Sequence, residues 1–474
     1  MQLSKYFKPE TLMFAAFLAT LPVYAPSQLL FGTGFIGVEN FMAAFANTML
    51  VSAVVFGAAA ALWSLRRGDA ALRSRVPVTA ASVAYIVGYG LMVPACAVEG
   101  VASPAVGAVS GLLLSFATVV LAIAWGAYLA QFGLRQALLW LAVMVGLASL
   151  VQLLLSSVTF AVGAIVFCVL VPLSCLLPCW LAWRGELEAV DGGESHHAGP
   201  ARGRLRALAS VVAMPFVGLM VFAFIMGARK FVLFDVVHME VLGCALGAIV
   251  VLPICLIKSS RPLMPLIYRL LVPLFCLVLI VLNAFPGGTA PLWLAGWMSY
   301  AFFGAVAILA LASLCAAAHA SEFSPGLIYG LTVAGFALCS ILGVVASQLP
   351  VFQVENGGPA LLVVSTLYFA YLLASALFAP FRPAKDEALL GEPSEATAGE
   401  VAVDVAARCE VLAAECGLTP REGEILAYLG RGHGIAFVAE ALVISESTVR
   451  THVKSIYKKL GVGSREELLE KVDA

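Results

Sequence analysis

Charge is what this sequence has least of. Lys, Arg, Asp and Glu make up 12% of its 474 residues, against about 25% in an ordinary soluble domain. Hydrophobic residues make up 62%, against about 45–50%. So few charges cannot clothe three water-soluble domains, which length alone would allow. The net charge of −1 averages two unlike regions and points to no partner by itself. Metal-ligand spacing is missing as well. Of eleven cysteines, nine lie in apolar runs, such as Cys168, Cys244 and Cys339; Cys409 and Cys416 lie outside them. Cys175 and Cys179 are four apart with no histidine nearby and read as packing residues. His196 and His197 have no further ligand close by and read as a solvated pair. No small-residue cleavage site follows Lys5 and Lys8, so the first apolar run is expected to stay as an uncleaved span. Nothing resembles a catalytic constellation or a cofactor site. Glu422 and Glu424 read as helix-start residues on a soluble surface, and the chain is not expected to be an enzyme.

What is present is a series of long apolar runs. About 20 such residues cross a bilayer as a helix. Twelve runs qualify: 11–31, 41–64, 77–97, 104–130, 136–156, 160–183, 207–227, 239–257, 264–284, 291–316, 326–348 and 359–380. The expected fold class is all-α, a polytopic bundle over 1–381. Its two six-helix halves are joined by the polar loop 184–206. Gly192, Gly193, Ser195 and Pro200 mark that loop as flexible. Gly107 with Gly111, Gly243 with Gly247, and Gly326 with Gly330 form GxxxG pairs that permit close helix packing.

Basic residues set the expected orientation. With the N-terminus inside, the inner side collects Lys5, Lys8, Arg66, Arg67, Arg73, Arg75, Arg135, Arg184, Arg202, Arg204, Arg206, Lys258, Arg261, Arg382 and Lys385. The outer loops hold Arg229 and Lys230. The excess predicts both termini in the cytoplasm, as an even number of spans requires. Glu39 and Glu99 sit at outer ends, and Arg229, Lys230, Asp235, His238 and Glu240 cluster there too. These seven are the candidate site for a small-molecule or ion signal, because ionisable residues near spans are costly to keep. Arg269 sits near an inner end, where it can snorkel. The spans lack a string of buried carboxylates, which favours a sensor over a proton-driven transporter.

The 6+6 layout resembles the major facilitator superfamily of transporters in topology. The loop after the second span, SLRRGDAALRSR, holds Gly68, Asp69 and basic residues in an order that differs from that family's Gly-x-x-x-Asp-Arg motif.

Composition changes abruptly after Phe381. Residues 382–414 read as a linker rich in charge, Ala, Gly and Pro, followed by a connecting helix over 401–414. Residues 415–474 read as a compact soluble domain. Thr419, Pro420 and Glu422 form a capping box that opens a helix burying Ile425, Leu426 and Leu429, and Gly430 and Gly432 stop it. A short second helix, 435–441, buries Val438, Ala439 and Leu442. Ser445 caps a third, to about Leu460, in which Val449, Val453, Ile456 and Leu460 recur at helical spacing. Its opposite face carries Arg450, Lys454 and Lys458 at intervals of four, with Lys459 beside them and Glu446 opposing. His452, mid-helix, reads as structural. A fourth helix, 464–472, presents Leu468, Leu469 and Val472. A short helix, a tight turn and a basic amphipathic helix is the arrangement that lays a recognition helix in the major groove.

From Leu418 to Val472 the chain closely resembles the LuxR-type helix-turn-helix family. The shared residues are Leu418-Thr419, Arg421-Glu422, Glu424-Ile425-Leu426, Val438-Ala439, Leu442, Ile444-Ser445-Glu446, Thr448-Val449, His452, Ile456 and Lys459-Leu460-Gly461-Val462. The resemblance implies four helices, the third reading double-stranded DNA and the fourth pairing protomers. By position, Arg450, Thr451 and Lys454 would face base edges, and Ser447, Thr448 and Lys458 would meet phosphates. Leu468, Leu469 and Val472 would form the homodimer contact. One departure is Gly434-Ile435-Ala436-Phe437, where the family carries polar, backbone-touching residues. Each phosphate left without a partner there lowers the salt slope by about 0.9. The expected function is a membrane-bound one-component transcription regulator with a sensing membrane domain. Its alternative is a transporter with an appended regulatory DNA-binding or protein-interaction module.

Overall fold

The computed structural model describes residues 12–22, 38–97, 101–132, 134–187, 216–225, 227–228, 236–256, 277–278, 281, 290–319, 323–350, 367, 370 and 398–473 except 443 and 445. Among the described residues all regular elements are helices. The described residues group into two units, one within Met1–Ile257 and Leu274–Leu373, the other within Ala374–Ala474.

The first unit contains α1 (Leu12–Ala19), α2 (Val38–Arg67), α3 (Ala70–Arg73), α4 (Arg75–Ala97), α5 (Pro104–Leu129), α6 (Leu134–Ser156) and α7 (Phe160–Arg184). It continues with α8 (Val236–Leu256), α9 (Ala290–His319) and α10 (Pro325–Ser347). Among the described residues, seven helices are long and apolar enough to cross a membrane: Asn40–Arg67, Arg75–Ala95, Pro104–Leu129, Gln136–Leu155, Phe160–Arg184, Tyr300–His319 and Pro325–Ser347. Each falls on one of the twelve expected spans. Phe216–Ile225 and Val241–Pro253 are shorter apolar helices at two more. The expected spans 264–284 and 359–380 lie almost wholly outside the described residues.

The first expected span is interrupted. Pro22 clashes with the carbonyl four residues back and disfavours helix at Leu21, so α1 ends at Ala19. The carbonyls released there would be costly in an apolar interior. Gln152 Nε2 donates to the Ala19 carbonyl at 3.1 Å. Tyr85 Oη donates to the Thr20 carbonyl at 2.7 Å, and Tyr89 Oη donates to it as well.

Small residues set the packing. A Cβ on Gly107 or Gly111 would stand 2.4 and 2.6 Å from the backbone oxygens of Phe41 and Phe45, so α5 lies directly on α2. Gly243 and Gly247 bring α8 onto the α9 backbone, and Gly330 meets Gly57 of α2 in the same way. All three GxxxG pairs are close-contact sites. The outward residues are apolar: Val51, Val55 and Leu62 on α2, and Ile165, Val169 and Leu176 on α7. Exposed apolar surface of this extent suits lipid rather than water. Arg67 stacks over Trp63 and Arg184 over Trp180, at 4.9 and 3.9 Å from the ring centroids, pairing aromatic and basic groups at helix ends as at a membrane interface.

The second unit contains α11 (Ala398–Glu415), α12 (Pro420–Gly430), α13 (Ile435–Leu442), α14 (Glu446–Leu460) and α15 (Arg465–Asp473). The expected capping box is present, with Thr419 as N-cap, Pro420 at N1 and Glu422 reaching back to the Thr419 N–H. The core gathers Ile425, Leu426, Val438, Val449, Ile456, Leu460 and Leu468. Gly430 lies inside α12, and Gly432, at φ 84°, makes the turn after it. The connecting helix is longer than expected and packs on both α12 and α15. A Cβ on Gly430 would lie 3.0 Å from Cys409 Sγ and 3.2 Å from Val472 Cγ1. Glycine there lets α11 seat.

Candidate nucleic-acid interface

The terminal unit sorts its cations into two sets. One set ties the domain together. Arg421 Nη2 donates to the Leu442 carbonyl at 3.1 Å, at the end of α13. Arg465 Nη2 donates to the Gly432 and His433 carbonyls at 2.6 and 3.2 Å, beyond the end of α12. Lys471 Nζ donates to the Leu460 carbonyl at 2.5 Å, at the end of α14. Cations suit helix C-termini because the last carbonyls lack intrahelical partners and carry partial negative charge.

The other set faces out from α14. Arg450, Thr451, Lys454 and Lys458 are exposed, and Thr448 is half-buried. Arg450, Lys454 and Lys458 follow at intervals of four, a ridge about 12 Å long at 1.5 Å rise per residue. Val449, Ile456 and Leu460 on the opposite face are buried. The side chain of Ser447 lies outside the described residues, as does that of Glu446.

The ridge is held by a polar anchor that runs against the sequence-based expectation. Glu422 is not a surface residue; it is 4% exposed. Its Oε2 accepts from Lys459 Nζ at 2.7 Å and from the Thr419 backbone N–H at 2.8 Å. Its Oε1 accepts from Ser455 Oγ at 2.6 Å. Burial alone would raise the Glu422 pKa, but donation from Lys459, Ser455 and Thr419 outweighs it and lowers the value to about 2. The carboxylate thus joins the start of α12 to the middle of α14 and fixes the angle of the exposed ridge. Lys459 belongs to this anchor and not to the outward face. Arg421 also pairs with Glu424 at 2.6 Å.

The expected dimer contact needs correcting. Leu468 is 0% and Val472 1% exposed within a single protomer, and Leu469 is half-buried. Leu468 and Val472 are already spent inside the domain, where α11 and α12 both pack on α15.

None of the seven expected ligand residues can be placed. Glu99, Arg229, Lys230 and Asp235 lie outside the described residues. Glu39, His238 and Glu240 lie on helices, but their side chains are outside the described set. The loop that matched the transporter motif poorly holds a cluster that no sequence pattern announced. Asp69 and Arg73 are both 0% exposed and pair at 2.9 Å. Asp69 Oδ2 also accepts from the Gly326 N–H at 2.6 Å, at the start of α10, and Arg73 Nη1 donates to the Leu187 carbonyl. A carboxylate is well placed at a helix N-terminus, where N–H groups lack partners. Arg73 is therefore an internal strut and not one of the inner surface charges.

Residues 417–472 match the family described as "Bacterial regulatory proteins, luxR family". This segment is a LuxR-type DNA-binding domain, fused in one chain to a multi-pass apolar helical unit. A search of curated proteins finds no match. Among solved structures, the chain is similar to a single-residue variant of the Escherichia coli fucose:proton symporter FucP, at 14% identity and a TM-score of 0.46, over 79% of this chain and 98% of that one. It is similar also to FucP, a major facilitator superfamily transporter, in the outward conformation. That match has 14% identity, a TM-score of 0.46, and covers 79% of this chain and 99% of that one.

Proposed function

We propose that the chain is a membrane-bound one-component transcription regulator, in which the helical unit senses a signal and the terminal unit binds double-stranded DNA. The observation that carries this reading is the exposed ridge of Arg450, Lys454 and Lys458 on α14, set opposite a buried face and fixed by Glu422. Arg450, Thr451 and Lys454 read base edges, where a good bidentate contact discriminates by about 1–3 kcal/mol. Ser447, Thr448 and Lys458 hold phosphates. The excess of basic residues in alternate loops supports a cytoplasmic placement of both termini in the bacterial inner membrane, where the terminal unit meets DNA. Protomers pair on two half-sites. Of the three residues expected to pair protomers, Leu469 alone is left partly open on α15. A signal acts by binding two states of the membrane unit with different affinity. The seven outer polar residues named from the sequence are one place for such a signal.

Crosslinking of the full chain to DNA in intact cells tests this reading. Discrete bound sites with a shared sequence are expected. A membrane-retained chain with uniform background occupancy would contradict it. A C-terminal green fluorescent protein fusion should fluoresce, as only a cytoplasmic terminus allows.

A further inference from the structure

Helix α4 begins, and α7 ends, at the end of the membrane unit that carries Arg66, Arg67, Arg75 and Arg184. The two helices run antiparallel and meet once per turn along a seam. Cys179 Sγ donates to Ser82 Oγ at 3.2 Å, and Trp183 Nε1 donates to Thr79 Oγ1 at 3.1 Å. Beyond them Arg73 Nη1 donates to the Leu187 carbonyl. Arg184 is out of place beside this seam. The last arginine of a membrane helix ordinarily extends toward water. This guanidinium folds back along α7 and lies 3.9 Å from the centre of the Trp180 ring, one turn nearer the apolar middle. Its contact with Glu186, at 3.5 Å, is long, and both side chains are more than half exposed. A guanidinium carries five N–H donors in a planar fork, and this contact engages one nitrogen. Arg75 lies one turn from Thr79 on the same face of α4. It is exposed, and its side chain has no ion-pair or hydrogen-bond partner among the described residues. Trp183 is 66% exposed, yet its N–H is engaged by Thr79, so its ring stands as a fixed apolar wall.

The geometry points to a binding site for one anionic phospholipid at the α4–α7 seam. Its phosphodiester sits between Arg184 and Arg75, and an acyl chain runs along Trp183, Val83 and Leu176, all exposed. Charge selects the headgroup. Two arginines and one glutamate leave a net charge of +1. A headgroup of one negative charge neutralises it, and a zwitterionic one does not. The arginine fork matches a pair of phosphate oxygens. Apolar contact selects a lipid over a free phosphate ester, because Trp183, Val83 and Leu176 have nothing to offer a headgroup alone. The site is independent of the sensor reading and holds whether or not the membrane unit responds to a signal.

Native mass spectrometry of the full chain released from detergent micelles tests it. The probes are phosphatidylglycerol and phosphatidylcholine with the same acyl chains. One phosphatidylglycerol should stay bound at collision energies that strip phosphatidylcholine. Arg75→Gln with Arg184→Gln should weaken that adduct roughly thirtyfold, at about fivefold for each cation near a lipid surface. Both side chains are exposed, so helix content by circular dichroism should not change. Arg66→Gln with Arg67→Gln removes equal charge from the same end and should leave the adduct intact. Val76→Glu brings a carboxylate to within one turn of Thr79, spares both arginines, and should also weaken binding. Glycerol 3-phosphate in large excess should not displace the lipid. Equal retention of the two lipids, or equal losses in the two double variants, would overturn the inference, since basic residues at this end would then hold lipid without a site. Displacement by glycerol 3-phosphate would assign the arginines to a soluble phosphate ester and overturn it too. Should the Arg75, Arg184 variant lose helix content, Val76→Glu decides, and undiminished binding there would refute the site.

Discussion

The membrane unit and the terminal unit are both built from helices, yet they turn those helices in opposite directions. Along the middle of α2 the outward side chains Val51, Val55 and Leu62 are apolar, and the charged pair beyond its end, Asp69 with Arg73, is fully buried. On α14 the exposed side chains are Arg450, Lys454 and Lys458, and the buried ones are Val449, Ile456 and Leu460. In the membrane unit charge persists where it is enclosed and paired, as in the Asp69–Arg73 strut, or at helix ends that reach the interface, as at Arg67 and Arg184. In water, charge is cheap at the surface. Even so, the terminal unit keeps one enclosed carboxylate, Glu422, and uses it as the membrane unit uses Asp69. Each is an acidic group near a helix start that ties distant elements together.

The comparison predicts a ranking of damage. Breaking the Asp69–Arg73 pair by Arg73→Leu strands a buried carboxylate and should cost about 3–5 kcal/mol. The melting temperature of the detergent-solubilised chain should fall sharply. Asp69→Asn combined with Arg73→Leu should recover part of the loss, because no charge is then left alone. An unchanged melting temperature in the single variant would show that the pair is not a strut.

Glu422 should come next. Its pKa falls from an ordinary 4.5 to about 2 on folding, so its contribution is fully present above pH 4.5 and is lost as pH drops from there through 2. The shift corresponds to roughly 3 kcal/mol at neutral pH. Urea melts of a 390–474 fragment at pH 7 and pH 3 should converge toward the Glu422→Gln protein as the pH falls. Parallel pH dependence in both proteins would remove the anchor from the account. The fragment should begin before Ala398, because α11 packs on α12 and α15.

The smallest effect is expected at Lys458. Removing its single phosphate partner by Lys458→Ala should reduce the slope of log affinity against log salt by about 0.9, with sequence preference intact. A changed preference would move Lys458 from the phosphates to the bases.

Short-range signals made part of this structure legible in the sequence. Thr419, Pro420 and Glu422 announce the start of α12 because a capping box is a local device. The periodic Val449, Ile456 and Leu460 fix which face of α14 is buried, and hence which is exposed. The GxxxG pairs indicated where helices touch. The features that stayed hidden depend on partners far apart in the chain. Asp69 meets Gly326 across 257 positions, and Glu422 meets Lys459 across 37. No local pattern encodes either. Leu468 and Val472 looked like a free apolar face because nothing in the spacing of α15 reveals that α11 and α12 pack against it. Pro22 was the one available sign that α1 would stop early.

The central claim is that the α14 ridge reads DNA sequence. The most direct measurement is fluorescence anisotropy of the full chain in nanodiscs, titrated with DNA enriched from a random pool and with scrambled DNA. The wild-type chain and the Arg450→Ala, Lys454→Ala double variant are compared at one fixed salt concentration. The account predicts a preference for enriched DNA that disappears in the double variant, while circular dichroism shows unchanged helix content. A preference that survives both substitutions would contradict it.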